Sequence, residues 1–211
     1  MLARLSKYLL VLMMLGYGTA HADVMTDDIA MLQHAWAKGY YGTPEGQQED
    51  YFDALRRQAH EVASKYPNRA EPLIWEGIIT STLAKYQSIF SAGGTAKDAR
   101  DLLLSAERID PNALDGSALT SLGSLYYKVP RFGSFGNYDK ARDYLQRALK
   151  VDPNGIDQNY FYGEFLSIQG DKTDAIAHLK KALAAPPRPG RADADAGRRK
   201  EIEQLLAKLS K

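Results

Sequence analysis

The stretch NYFYGEFLSIQGDKTDAIAHLKKALAAPP, from Asn159 to Pro187, has small and large residues where two packed antiparallel helices need them. Gly163 lets the first predicted helix approach its partner closely, and Gly170 with Asp171 forms the turn between them. The second predicted helix carries an inward stripe at i, i+4 and i+7, formed by Ala175, Leu179 and Ala182. Pro187 ends it, so the stretch predicts one helix-turn-helix unit.

The same pattern recurs twice upstream. The second-helix positions are occupied by Ala99, Leu103, Ala106 and Pro111, and again by Ala141, Leu145, Ala148 and Pro153. The first helices align through Gly77, Gly123 and Gly163. This pattern resembles the tetratricopeptide repeat (TPR), although Asn159 stands where that family prefers Trp. The resemblance implies an all-α fold of tetratricopeptide-like helix-turn-helix repeats, arranged as a right-handed α-solenoid with a C-terminal capping helix.

The three units differ in length. Ala99 and Ala141 are 42 residues apart, whereas Ala141 and Ala175 are 34 apart, which is the family period. We place the extra residues in the turns inside the units, over 85–94 in unit one and 129–136 in unit two. The second helices are then expected to begin with turn or cap residues, at Gly94-Thr95, Gly136-Asn137 and Gly170-Asp171.

The first 22 residues have the layout of a secretory signal peptide. Arg4 and Lys7 supply positive charge, residues 8–15 form an apolar run, and Ala20-His21-Ala22 is a small-x-small cleavage site. We expect cleavage before Asp23, export to a bacterial periplasm and no stable membrane insertion afterwards, because the apolar run is short for a membrane span. The alternative is an uncleaved anchor. Since Cys is absent, there is no site for lipid attachment.

Four segments follow: 1–22 as signal peptide, 23–69 as an N-terminal helical pair or degenerate repeat, 70–187 as three repeats, and 188–211 as a proline-rich link and capping helix. In the second segment we predict a helix over residues 27–38. Another opens with Thr43 as N-cap and Pro44 in the first turn, and stops at Tyr66. In the last segment we predict a helix over 195–209, with Arg198 among the side chains on its solvent face.

Composition and motifs favour binding over catalysis. The chain has 27 Lys and Arg against 26 Asp and Glu, so its charge gives no indication of nucleic-acid binding. It lacks the metalloprotease, nucleophile-elbow, P-loop and dinucleotide motifs. His34, His60 and His178 have no paired spacing, and His178 is expected on a solvated face. We therefore predict no enzyme, no cofactor and no metal site; an unrecognised enzyme is the alternative.

The resemblance to the repeat family also assigns a groove, because the first helix of each unit lines it in that family. The matched residues are Ile74, Ile78, Ser81 and Thr82 in unit one, Thr120, Ser124, Tyr127 and Lys128 in unit two, and Tyr160, Glu164, Ser167 and Ile168 in unit three. This predicted partner- or ligand-binding surface is apolar and hydroxyl-rich, with Lys128 as its only cation.

The aromatic residues of this surface have two interpretations. Tyr127 and Tyr160 suit a ligand with an apolar body and a few polar groups, because each ring adds contact area and one hydroxyl. Alternatively, the rings pack between helices, and Lys128 with Glu164 forms an ion pair. Phe161 and Phe165 are expected in the core.

A second resemblance covers residues 71–211. The segment LYYKVP at 125–130, the long inner turns and the proline-rich link before the last helix resemble the T-component (TatT-like) family of tripartite ATP-independent periplasmic (TRAP) transporters. The resemblance implies a protein partner, namely a periplasmic solute-binding protein. We therefore predict a periplasmic binding or scaffold protein that mediates protein-protein interaction, accessory to a TRAP-type transporter. The alternative is a carrier of a small apolar ligand in the groove, and the oligomeric state stays open, a homo-oligomer included.

Overall fold

The structure is a computed structural model that describes residues 24–211, and this part of the chain forms nine α-helices. They are α1 (24–42), α2 (Gln48–Lys65), α3 (Ala70–Tyr86), α4 (Ile89–Ile109), α5 (Ala113–Lys128), α6 (Tyr138–Val151), α7 (Ile156–Ile168), α8 (Lys172–Leu183) and α9 (Ala192–Leu209). No strand is present within these residues, so the predicted all-α solenoid is confirmed. The predicted signal peptide lies outside the described residues.

Three glycines set the distance between the helices of each pair. A Cβ added to Gly77 would lie 2.7 Å from Leu103 Cγ, and one on Gly123 would lie 2.6 Å from Leu145 Cγ. The same contact recurs at Gly163, where the added Cβ would lie 3.0 Å from the Cγ of the equivalent leucine in α8. Because each glycine meets the matching leucine, the alignment of the three units made from the sequence is confirmed.

Side-chain caps begin two of the second helices where they were predicted. The Asn137 side chain accepts a hydrogen bond from Lys140 N at the start of α6, and the Asp171 side chain accepts one from Asp174 N at the start of α8. Each satisfies a backbone donor that the first helical turn leaves without a partner.

Several helix boundaries differ from prediction. The first helix covers 24–42 and not 27–38, and α9 begins at Ala192 and not at residue 195. Residues 89–94 are not a turn but the first turns of α4, because Ser91 and Ala92 donate to Ser88 O and start the helix there. In the N-terminal segment, α2 begins at Gln48, because Gly46 adopts φ +85° and cannot continue a helix from Pro44. Within α5, residues 114–116 have left-handed backbone angles, which kink its first turn.

Asn159 occupies the repeat position at which the family prefers Trp, and it is held there by hydrogen bonds. It is fully buried, and its Nδ2 donates to Pro153 O and Gly155 O, each at 2.9 Å. Its Oδ1 lies 3.0 Å from Nδ1 of His178, whose ring also packs edge-on against Tyr162. The expectation that His178 is solvated is therefore wrong, because α8 turns this side chain toward α7.

The last helix, α9, packs against the first helix, α1. A Cβ added to Gly197 of α9 would lie 2.5 Å from the Tyr41 ring of α1, and Tyr41 OH donates to Glu201 at 3.2 Å. Ile202 packs into the core formed with α7 and α8. Arg198, expected on the solvent face, is only 6% exposed, because that face of α9 turns toward α7. The contact between α1 and α9 closes the array around its concave side.

Candidate functional site

The concave side of the array holds a cavity of about 690 Å³. Its walls are the inward faces of α3, α5 and α7, together with Trp36 and Tyr40 of α1 and Arg198 of α9. The early turns of α4 and the loop over residues 129–136 border it as well. The segments 85–94 and 129–136, where the sequence placed the extra residues of units one and two, thus both border the same cavity.

One end of the cavity, called here the inner end, is formed by Asp157, Arg188, Arg191 and Arg198 together with Trp75. Asp157 accepts from Arg188 Nη1 at 2.6 Å and from Arg198 Nε at 2.8 Å. Burial opposes ionisation of Asp157, but the charges of Arg198 and Arg188 outweigh it and hold the pKa of this carboxyl well below its usual range. Asp157 is therefore a fixed anion near neutral pH.

The other carboxylates of the inner end are also occupied by Arg188 and Arg198. Arg188 bonds the buried Asp195 at 2.7 Å, and Arg198 bonds Glu201 at 2.7 Å. Each of these two guanidinium groups therefore has two carboxylate partners. The geometry resembles that of a structural network, because every charge in it is paired.

Arg191 is the exception at the inner end. Within residues 24–211 it forms no ion pair, and its Nε is buried without an acceptor. Its guanidinium lies 5.1 Å from the centre of the Trp75 ring, and Trp75 Nε1 is likewise buried without an acceptor in this part of the chain. Burial and then the charge of Arg188 lower the pKa of Arg191. A half-buried cation therefore lines the cavity without a described carboxylate in direct contact.

The opposite end, called here the mouth, carries two lysines in different environments. Lys128 Nζ pairs with Glu164 at 2.8 Å, and the same carboxylate accepts hydrogen bonds from the hydroxyls of Tyr127 and Tyr160. Lys85 Nζ donates to Tyr40 OH at 2.9 Å and lies 4.2 Å from the centre of that ring. Lys85 has a polar partner but no ion pair among the described residues.

Large apolar side chains protrude beside the mouth. Ile89 and Phe90, in the first turn of α4, are 87% and 93% exposed, and Phe132 in the loop is 98% exposed. Ile89 and Phe132 also line the cavity. Exposed apolar residues that cluster at the edge of a cavity are typical of a surface that meets another molecule.

The residues predicted for the groove divide into two sets. Those that line the cavity are Ile78, Ser81, Thr82, Thr120, Ser124, Lys128 and Tyr160. Those that do not are Ile74, Tyr127, Glu164, Ser167 and Ile168. This second set is a correction to the predicted surface.

Three of the predicted residues lie outside the cavity for reasons that the structure shows. Ile74 is fully buried, because it faces the seam between repeats and packs against Ala106 and Ala118. Tyr127 is 5% exposed and packs against Phe165. Ile168, by contrast, is half-exposed at the C-terminal end of α7, beyond the cavity.

Further corrections concern Phe161 and the cations. Phe165 is in the core as predicted, but Phe161 lines the cavity. Lys128 is the only cation of the predicted set, but the proline-rich link and α9 bring three arginines to the inner end in addition. From the sequence, the link was predicted only to connect the last repeat to α9, with no residue in the groove. The missed signal is an Arg-rich segment, RPGR at 188–191, directly after the last repeat.

Two absences bear on the chemistry of the described residues. No group of three or more His, Asp or Glu side chains suited to a metal ion occurs between residues 24 and 211. Over the same residues, no helix has the length and apolar character that crossing a membrane requires.

Comparison with known proteins identifies the repeat. Residues 132–154, which include α6, match the family model of the tetratricopeptide repeat. Among solved structures, the chain is similar to TTC0263, a thermophilic TPR protein from Thermus thermophilus. The TM-score is 0.58 and the sequence identity 14%, and the match covers 88% of this chain and 98% of that one. No curated protein matches the chain significantly. The chain thus contains a tetratricopeptide repeat and has a tetratricopeptide-like fold.

Proposed function

We propose that this protein is a non-catalytic binding module that holds a small ligand in its cavity and presents the cavity mouth to a protein partner. The cavity of about 690 Å³ carries the proposal. Its volume lies within the range of small-molecule sites, and its walls combine aromatic rings with a few polar groups. A tetratricopeptide-like fold, in turn, suggests a role in protein-protein interaction or as a scaffold.

The chemistry of the cavity supports binding over catalysis. Asp157 is the only carboxylate on its lining among the described residues, and two arginines hold it ionised. His34, His60 and His178 lie elsewhere. The groups that most often transfer protons in enzymes are therefore absent from this lining or already paired.

A cavity-filling substitution tests the ligand-binding role. Ser121 lines the cavity on α5, and Ser121→Phe would fill part of it, whereas Ser64→Phe on the exposed face of α2 is the matched control. Native mass spectrometry of protein purified from the periplasm of its own host is expected to show a bound small molecule. The bound mass should persist in the Ser64 variant and disappear from the Ser121 variant. If wild type and both variants carry no bound mass, and none binds small molecules supplied from host extract, the proposed ligand role fails.

A second function, docking of a protein partner, is favoured by the exposed apolar side chains at the mouth. The T-component resemblance supports a periplasmic solute-binding protein as that partner, accessory to a TRAP-type transporter. Because the chain has no Cys, a single Phe132→Cys variant can carry a photocrosslinker at the mouth, with Ser64→Cys as the control. We expect crosslinking to a purified solute-binding protein of the host from position 132 and not from 64. Equal yields from both positions would contradict docking at the mouth.

Export is part of the same proposal, and it is supported by the signal-peptide layout of residues 1–22. Intact-mass measurement of the protein recovered from the periplasm should give a chain that starts at Asp23. A protein that retains Met1 and partitions with membranes would overturn both cleavage and the periplasmic location.

A further inference from the structure

One arginine at the inner end of the cavity has no carboxylate in direct contact among the described residues. Arg188 and Arg198 each bond two carboxylates, whereas Arg191 has no ion pair within residues 24–211. Its Nε is buried and lacks an acceptor in that part of the chain. A buried donor that has lost water and gained no partner is unfavourable, so such groups in native proteins have a reason for being there.

The Trp75 ring lies beside Arg191. Trp75 Nε1 is also buried without an acceptor among the described residues, and the Trp75 ring stacks near the Arg191 guanidinium, at 5.1 Å. Arg191 sits in the link before α9, which is not helical, so small adjustments of its side chain cost no helical hydrogen bonds. A guanidinium group that lines the cavity without an ion pair to any described residue, and that carries several N–H donors, suits an acidic group with more than one oxygen.

Between its two ends, the cavity wall is less polar than its many Ser and Thr side chains suggest. The hydroxyls of Ser81, Thr82, Ser117 and Thr120 face the cavity, but each donates its proton to a carbonyl of its own helix. These hydroxyls therefore have no free proton to donate to a ligand. Between them stand apolar side chains such as Ile78, Leu125 and Phe161. The wall therefore suits an apolar body better than a polar one.

The cavity is long. On α3 its lining runs from Trp75 to Lys85, and on α5 from Ser117 to Lys128. At the rise of an α-helix, each span is about 15 Å. At the mouth, Lys85 is already engaged with Tyr40, and the adjacent Ile89 and Phe132 are exposed and apolar.

We propose that the ligand is an elongated amphipathic anion, with a carboxylate or similar acidic group bound to Arg191, beside Trp75, at the inner end and an apolar chain extending to the mouth. This inference rests on the proposed ligand-binding function and specifies its substrate class. Arg191 is the residue that selects for the acidic group. Because its side chain is half-buried, its charge is screened less by water than that of a fully exposed side chain.

Intrinsic fluorescence can report binding without a label. The chain has two tryptophans, Trp36 and Trp75, and both line the cavity. The probes are dodecanoate, whose extended chain is similar in length to the cavity, and dodecanol, which has the same chain without the charge. We expect saturable fluorescence changes with dodecanoate below its micellar concentration, and binding of dodecanol that is weaker by about ten-fold or more.

Two charge-removing variants locate the acidic group. Arg191→Gln is expected to weaken dodecanoate binding by about ten-fold to a hundred-fold and to leave dodecanol binding unchanged. Lys85→Gln, which removes the same charge at the mouth, should change dodecanoate binding less than three-fold, because Lys85 is exposed to water. The melting temperature of ligand-free Arg191→Gln should stay close to that of the wild type, since no described carboxylate loses an ion pair.

The possible failures are distinguishable. Equal affinity for dodecanoate and dodecanol, or undiminished dodecanoate binding by Arg191→Gln, overturns the acidic-group inference and leaves the binding cavity intact. A large drop in the melting temperature of Arg191→Gln would assign Arg191 a structural role and overturn the inference as well. If the wild type binds neither probe, the amphipathic anion is wrong. The ligand role itself is then decided by the Ser121→Phe comparison.

Discussion

The close contact between Gly123 and Leu145 leads to a testable prediction. Replacing glycine by alanine should destabilise the protein at position 123 and stabilise it at position 94, although both glycines lie in helices. In Gly123→Ala the new Cβ would lie 2.6 Å from Leu145 Cγ and 3.2 Å from Leu145 N, so α5 and α6 must move apart. In Gly94→Ala, inside α4, nothing lies within 4 Å of the new Cβ. Neither glycine has a positive φ, so backbone strain does not enter.

The expected magnitudes follow from two terms. Replacing Gly by Ala in a helix stabilises it by about 0.5–1 kcal/mol at either position. Overpacking at Gly123 costs about 1–3 kcal/mol, which outweighs that gain. We therefore expect Gly94→Ala to be more stable than Gly123→Ala by about 2 kcal/mol, or roughly 4–8 °C in melting temperature for a chain of this length.

Circular dichroism at 222 nm, followed during thermal and urea unfolding of wild type and both variants, measures this difference. The wild type should lie between the two variants. Should Gly123→Ala be stabilised as much as Gly94→Ala, the close approach of α5 to α6 at this glycine would be refuted, and with it the alignment of the repeats.

Three further predictions concern buried polar groups. Arg198→Gln leaves Asp157 and Glu201 with fewer partners and should destabilise the fold by on the order of 3 kcal/mol in urea unfolding, whereas the exposed Arg57→Gln should have almost no effect. Asn159→Ala removes hydrogen bonds to two backbone carbonyls and should cost about 1–3 kcal/mol; an unchanged unfolding midpoint would contradict the role given to Asn159. Burial, and then the charge of Lys181, lower the pKa of His178, so the unfolded chain binds the proton first and stability should fall as the pH drops below about 6.5. An NMR titration of His178 with an ordinary or raised pKa would contradict this.

The fold was predictable where it depends on local patterns. The glycine-leucine contacts, the Asn137 and Asp171 caps and the end of α2 at Lys65 all involve residues whose spacing within one unit carries the information. The start of α4 was missed because Gly93 and Gly94 suggest a turn, whereas helix propensity is a weak preference that the surrounding structure can outweigh.

The site was predictable only in part, because its inner end is built from distant segments. The lining from α3, α5 and α7 follows from the repeat pattern, and Ile78, Thr120 and Tyr160 lie there. The arginines of the link and α9 reach the cavity because two of them bond Asp157 of α7 and because α9 packs against α7 and α1, which no local spacing indicates. Helical spacing also indicates only approximately on which side of a helix a residue lies. Tyr127 was therefore placed in the groove, although it packs into the core.

The most direct test of a ligand-binding cavity is a crystal structure of the protein purified from the cells that naturally produce it. We predict continuous electron density inside the cavity, beginning within hydrogen-bonding distance of Arg191 and running between α3 and α5 toward Ile89. A structure in which the cavity holds only water, from protein shown by mass spectrometry to retain a bound small molecule, would place the ligand elsewhere and contradict the proposed function.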